Sequence, residues 1–149
     1  MSAVTASGAV VGYGNPIFEC AGAHIRALAR QLANVVTVTG TIDVANLDRV
    51  VALVRRFVLT EKSFVLDLSG IESLPAQATA LLNTLADTCE RAGVEWAVIA
   101  GGVAREFLFG TGLDDEVLVV DSVPDALQHF ADASTRRRTM LLPLLNRTA

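Results

Sequence analysis

Hydrophobic and polar positions follow a regular succession from Ala23 onward. Ala23, Ile25, Ala27 and Ala29 alternate with His24, Arg26, Leu28 and Arg30, a period of two that predicts a strand at the edge of a sheet. Val35, Val36, Thr37, Val38 and Thr39 are all β-branched and predict a buried strand. Gly40-Thr41-Ile42-Asp43 then turns the chain into a helix over about residues 44–59. There Val44, Leu47, Val50, Val51, Val54 and Phe57 or Val58 repeat at helical spacing, with Asp43 as N-cap. Residues 63–68 predict a third strand and residues 75–92 a second helix, with Ala78, Leu81, Leu82, Leu85 and Cys89 on one face and Gly93 as C-cap. A strand over 95–100, a short helix over 103–109, a strand over 117–120 and a last helix over 123–133 follow, the last opened by Ser122 and Pro124.

The order β-β-α-β-α-β-α-β-α predicts an α/β fold. Its mostly parallel central sheet has about five strands and about four helices packed on it, the first strand pairing antiparallel as a covering edge. The length of 149 residues fits one domain. Residues 1–22 read as a loosely ordered arm, 23–133 as the domain and 134–149 as a basic and apolar tail.

Composition narrows the function classes. No apolar run approaches the roughly 18 residues that a membrane span needs, and no basic-then-apolar leader opens the chain, so a cytoplasmic location is expected. The net charge of −4 is uneven: residues 134–149 carry Arg136, Arg137, Arg138 and Arg147 and no acid, which leaves an acidic body. Such a body argues against nucleic acid as a general partner, because phosphate binding needs many cations on one face. Cys20 and Cys89 lie too far apart to suggest a disulfide framework or a zinc site; a redox pair between them has no support in the spacing.

No catalytic grouping emerges. His24 and His129 have no Cys, Ser or carboxylate partner at motif spacing and read as surface residues. Asp114, Asp115 and Glu116 read as a solvated turn, so no metal and no cofactor are expected. Gly101-Gly102 follows a strand and opens a helix, where backbone N–H groups could meet an anion. It lacks the Lys-Ser/Thr of a P-loop, and a tight turn is the plainer reading.

Four segments in this order and spacing resemble the STAS family of anti-sigma factor antagonists. Val35 to Asp43 looks like the family's second strand with its Gly-x-x-Asp turn. Phe64 to Ile71, containing Asp67-Leu68-Ser69-Gly70, looks like the third strand and its Asp-x-Ser-Gly exit. Gly93 to Gly101 is similar to the fourth strand, and Thr111-Gly112-Leu113-Asp114 with Asp121-Ser122 resembles the region of the last strand and helix. The resemblance covers about residues 23–132.

It implies a regulatory protein-binding domain rather than an enzyme, with an anti-sigma factor or related protein as partner. In the family, an Asp-Ser-Ser-Gly motif at a helix start carries a phosphoacceptor serine that the partner kinase modifies. The phosphate brings roughly −1.5 to −2 charges into the contact surface and weakens binding. Here the aligned residues are Pro75-Ala76-Gln77-Ala78, so Ala76 stands at the acceptor position without a hydroxyl. The implied partner surface is Asp43, Ser69, Gly70, Ser73, Pro75, Ala76 and Gln77. Ser73 and Thr79 are the nearby hydroxyls; Ser73 could instead cap the helix, and Thr79 could bond a carbonyl of its own turn. The alternative implied by the family is a non-catalytic small-molecule or nucleotide sensor, with Gly101 and Gly102 as the anion-facing position.

Overall fold

The computed structural model describes residues 17–146 except residue 31, with side chains as far as residue 136. The expectation for the first 16 residues of the N-terminal arm lies outside the described residues.

Among the described residues seven strands form one sheet. β1 (Ile17–Cys20) and β2 (Ala23–Ala29) make an antiparallel hairpin, and β2 pairs antiparallel with β3 (Ala33–Thr41). β4 (Ser63–Asp67), β6 (Trp96–Ile99) and β7 (Val119–Val120) continue the sheet in parallel, in the order β1-β2-β3-β4-β6-β7. β5 (Ile71–Ser73) pairs parallel with the end of β3. The helices are α1 (Leu47–Arg55), α2 (Thr79–Ala92), α3 (Gly102–Thr111) and α4 (Val123–Asn146).

The expected α/β fold with its antiparallel start and parallel remainder is present, but with seven strands rather than about five. The alternating segment at Ala23 is not the edge. β1, expected to be loose arm, covers it through a two-residue turn in which Ala21 (φ 44°) and Gly22 (φ 107°) both take positive φ. That is the twist a tight hairpin requires. The last helix also does not end at Ala133. It runs to Asn146, so most of the expected tail is helical.

Two cores sandwich the sheet. One, with Ile25, Val36, Val38, Phe64, Leu66 and Val98, packs under α1, α2 and α3 through Val50, Val54, Leu81, Leu82, Leu85 and Leu108. The other, with Ala33, Val35, Val65, Ala97, Ile99 and Val120, packs under Ala126 and Phe130 of α4. Leu28, on the polar side of the β2 alternation, packs against this second cluster. The parallel strands are therefore apolar on both faces, as a sheet covered by helices on both sides demands.

Candidate functional site

The carboxyl ends of β3, β4, β5 and β6 converge on one rim of the sheet, where open parallel sheets place their ligand or partner surfaces. After Asp67, β4 leaves β3 and β5 takes its place, with Gly40 opposite Ile71 and Thr41 opposite Ser73. The amide of Ile42 donates to the Ser73 carbonyl at 3.1 Å, which sets Asp43 beside the segment leading to Ala76.

Two close approaches and one hydrogen-bonded turn hold this rim. A Cβ on Gly40 (φ 88°) would stand 2.3 Å from the carbonyl oxygen of Gly22, so only glycine fits where the hairpin turn meets β3. A Cβ on Gly70 would stand 2.8 Å from Cγ2 of Thr39. The Ser69 hydroxyl donates to Asp67 Oδ1 at 2.6 Å, and its amide donates to the same oxygen at 2.9 Å. Asp67 thus shapes the turn. A Cβ on Gly101 would lie 3.9 Å from Cβ of Ser69, which places the start of α3 beside that turn.

Asp43 opens the turn before α1. Its Oδ1 accepts the amides of Ala45 and Asn46, both at 2.9 Å, while Asn46 Oδ1 accepts the Asp43 amide at 2.9 Å. Asp43 therefore caps, but the regular helix begins at Leu47 rather than at residue 44. Asn46 is the residue that sequence reasoning missed. It is buried, and its Nδ2 donates to the carbonyls of Cys20 (2.8 Å), Thr41 (3.0 Å) and Ala21 (3.3 Å). One side chain thereby ties the β1–β2 turn, the end of β3 and the start of α1 together. Asn three residues after a capping Asp is the signal that could have disclosed it.

Pro75 is extended (φ −79°, ψ 162°) and leads into one 3₁₀ turn, Ala76–Ala78, which runs directly into α2. Ala76 and Gln77 are exposed, whereas Ala78 is buried. The methyl of Ala76 thus stands in solvent at the mouth of α2. Ser73 does not cap the helix: its exposed hydroxyl makes no hydrogen bond among the described residues. Thr79 Oγ1 faces the Ala76 carbonyl at 3.4 Å. Asp43, Ser69, Gly70, Ser73, Pro75, Ala76 and Gln77 all belong to segments that meet at this rim, as do Gly101 and Gly102. Gly102 (φ 53°) opens α3, and Arg105 in its first turn bonds the Ala100 carbonyl (3.3 Å) and Asp121 Oδ1 (2.6 Å). That pairing spans the ends of β6 and β7.

Elsewhere the chemistry is sparse. His24 and His129 are exposed and lie 3.1 Å from Glu19 and 3.9 Å from Asp125. Cys20 and Cys89 are free, buried thiols. Burial pushes Cys89 up to about 12; burial also raises Cys20, with Arg49 opposing and Glu19 adding. Among the described residues no cluster of three or more His, Cys, Asp or Glu could hold a metal ion, and no helix is long and apolar enough to cross a membrane.

Residues 24–126 match the STAS domain family, and the chain belongs to it. It is 40% identical over 140 residues to Osmosensory protein A of Mycobacterium tuberculosis, covering 91% of this chain and 89% of that one. An anti-sigma factor antagonist from Mycobacterium paratuberculosis shares the fold with a TM-score of 0.57 and 27% identity, over 73% of this chain and 94% of that one. The unphosphorylated anti-sigma factor antagonist SpoIIAA also has a TM-score of 0.57, at 9% identity, over 70% of this chain and 94% of its own.

Proposed function

We propose that this protein is a cytoplasmic regulatory domain that acts by binding, not catalysis. It docks an anti-sigma factor or related regulatory protein on the rim formed by Asp43, Ser69, Gly70, Ser73, Pro75, Ala76 and Gln77, and it is not switched by phosphorylation at Ala76. The observation that carries the reading is the exposed Ala76 methyl at the mouth of α2. Without an oxygen there, no phosphoryl group can be accepted. The charge of this surface, to which a phosphate would add roughly −1.5 to −2, is therefore fixed at that position. The antagonist neighbour at 27% identity supports the class of partner, and the name of the relative at 40% identity points to osmotic stress as the setting.

The test uses candidate anti-sigma kinases with ATP, read by intact mass and by co-purification. The native protein stays unmodified and bound, Ala76→Ser gains one phosphate, and Ala76→Glu loses the partner while keeping its thermal stability. Stoichiometric phosphate on Ser73 or Thr79 of the native protein would overturn the unswitched state. Unchanged binding by Ala76→Glu would overturn the assignment of the surface.

A further inference from the structure

The other ends of α1 and α2 frame a second feature that owes nothing to the partner rim. α1 finishes with Arg55 and its cap Arg56, and α2 carries Thr84, Asp87, Thr88 and Arg91 on successive turns facing them. These residues line an open groove of about 490 Å³. Arg91 lies about 18 Å along α2 from Thr79, so the groove sits toward the opposite rim of the sheet from Ala76.

Its electrostatics run against those of the molecule. Three guanidiniums and one carboxylate make the groove cationic in a chain of net charge −4. Arg91 Nε is already held by Asp87 Oδ2 at 3.2 Å, and the Thr88 hydroxyl is spent on the Thr84 carbonyl at 2.7 Å. The guanidiniums of Arg55 and Arg56 and the hydroxyl of Thr84 have no partner among the described residues. Helix C-termini attract one or two cations through the dipole, which accounts for a basic residue at each end. It does not account for two adjacent, unpartnered arginines lining one groove with a free hydroxyl on the facing helix. Planar guanidinium forks match the oxygens of a phosphate bidentately, and a hydroxyl adds a further donor.

We propose that this groove binds a small phosphate-bearing anion, held by Arg55 and Arg56 with Thr84 opposite. Asp87 limits its affinity by neutralising Arg91. The full chain is titrated with tripolyphosphate, with ATP, and with sodium chloride at matched ionic strength, followed by calorimetry and thermal unfolding. Tripolyphosphate binds saturably and raises the unfolding temperature beyond the chloride control. Arg55→Gln/Arg56→Gln weakens it by about tenfold or more, as the loss of charge-assisted bonds requires, with unchanged circular dichroism. Asp87→Asn tightens it. ATP binding tighter than tripolyphosphate assigns the groove to nucleotides, and equal binding assigns it to phosphate charge alone; both uphold the site. Equal responses of the native protein and the double variant, or a chloride control that reproduces the stabilisation, would overturn it.

Discussion

Replacing Asn46 by Ala tests whether one buried amide holds the rim together. The change removes the contacts that the two Nδ2 hydrogens share among the carbonyls of Cys20, Thr41 and, at the longest distance, Ala21, and one bond accepted from the Asp43 amide. Their losses are unequal. Ala21 is exposed and Thr41 half-buried, so water can reach their carbonyls and the net cost there is small. Cys20 is fully buried, and its carbonyl would be left without its side-chain partner at about 1–3 kcal/mol. The Asp43 amide adds about 0.5–1.5 kcal/mol. The sum is about 2–4 kcal/mol, and for a chain of this size that lowers the unfolding temperature by about 5–15 °C. Urea denaturation by circular dichroism reads the first figure and a thermal scan the second. Amide exchange adds a local signature: Asp43, Ala45 and Asn46 lose protection before the cores do. Gln128→Ala, which breaks only an exposed bond to Asp132, serves as the control and stays within about 0.5 kcal/mol of the parent. If Asn46→Ala matches that control, the amide is an ornament of the turn and the reasoning fails.

Two glycine substitutions separate contact from conformation. Gly40→Ala combines positive φ with a Cβ 2.3 Å from the Gly22 carbonyl and should leave little folded protein, measured as soluble yield and urea midpoint. Gly93→Ala, also at positive φ but with nothing within 4 Å, should cost only about 1–2 kcal/mol; equal losses would refute the steric argument. The Cys89 thiol gives a pH prediction. Its folded value is raised to about 12 from an ordinary 9, so above pH 9 the unfolded chain releases a proton that the folded chain keeps. Its contribution is therefore intact below pH 9 and falls by up to about 1.4 kcal/mol per pH unit as the pH rises toward 12. Cys89→Ala should show a correspondingly shallower alkaline loss in urea titrations at each pH, and identical slopes would contradict the assignment. Arg105→Ala breaks an exposed pair with Asp121 and should cost less than about 1 kcal/mol by the same measurement.

Local periodicity carried much of the architecture. The face of Leu81, Leu82, Leu85 and Cys89 placed α2, the C-cap at Gly93 closed it, and Ser122 accepts the Asp125 amide at 3.2 Å as a cap should. The position of Ala76 at a helix mouth was legible for the same reason, because Asp67-Leu68-Ser69-Gly70 and Leu81-Leu82 bracket it. These features depend on neighbours within a turn or two along the chain, which a linear pattern records.

What the sequence left open depends on partners far away along it. Ile71–Ser73 is too short to announce a strand; it becomes one because β4 leaves β3 after Asp67 and the end of β3 turns to this segment instead, the Gly40 amide donating to the Gly70 carbonyl and the Ile42 amide to the Ser73 carbonyl. β1 forms across a turn in which Ala21, not a residue that prefers positive φ, adopts it, so no turn signal marked the hairpin. Asn46 reads as one more polar residue before a helix until folding brings the carbonyls of Cys20 and Thr41 to its amide. Arg55 and Arg91 look like ordinary solvated charges until α1 and α2 lie side by side. Spacing along the chain determined which segments are helix or strand; only packing, which joins groups that the sequence holds apart, decided which polar atoms meet.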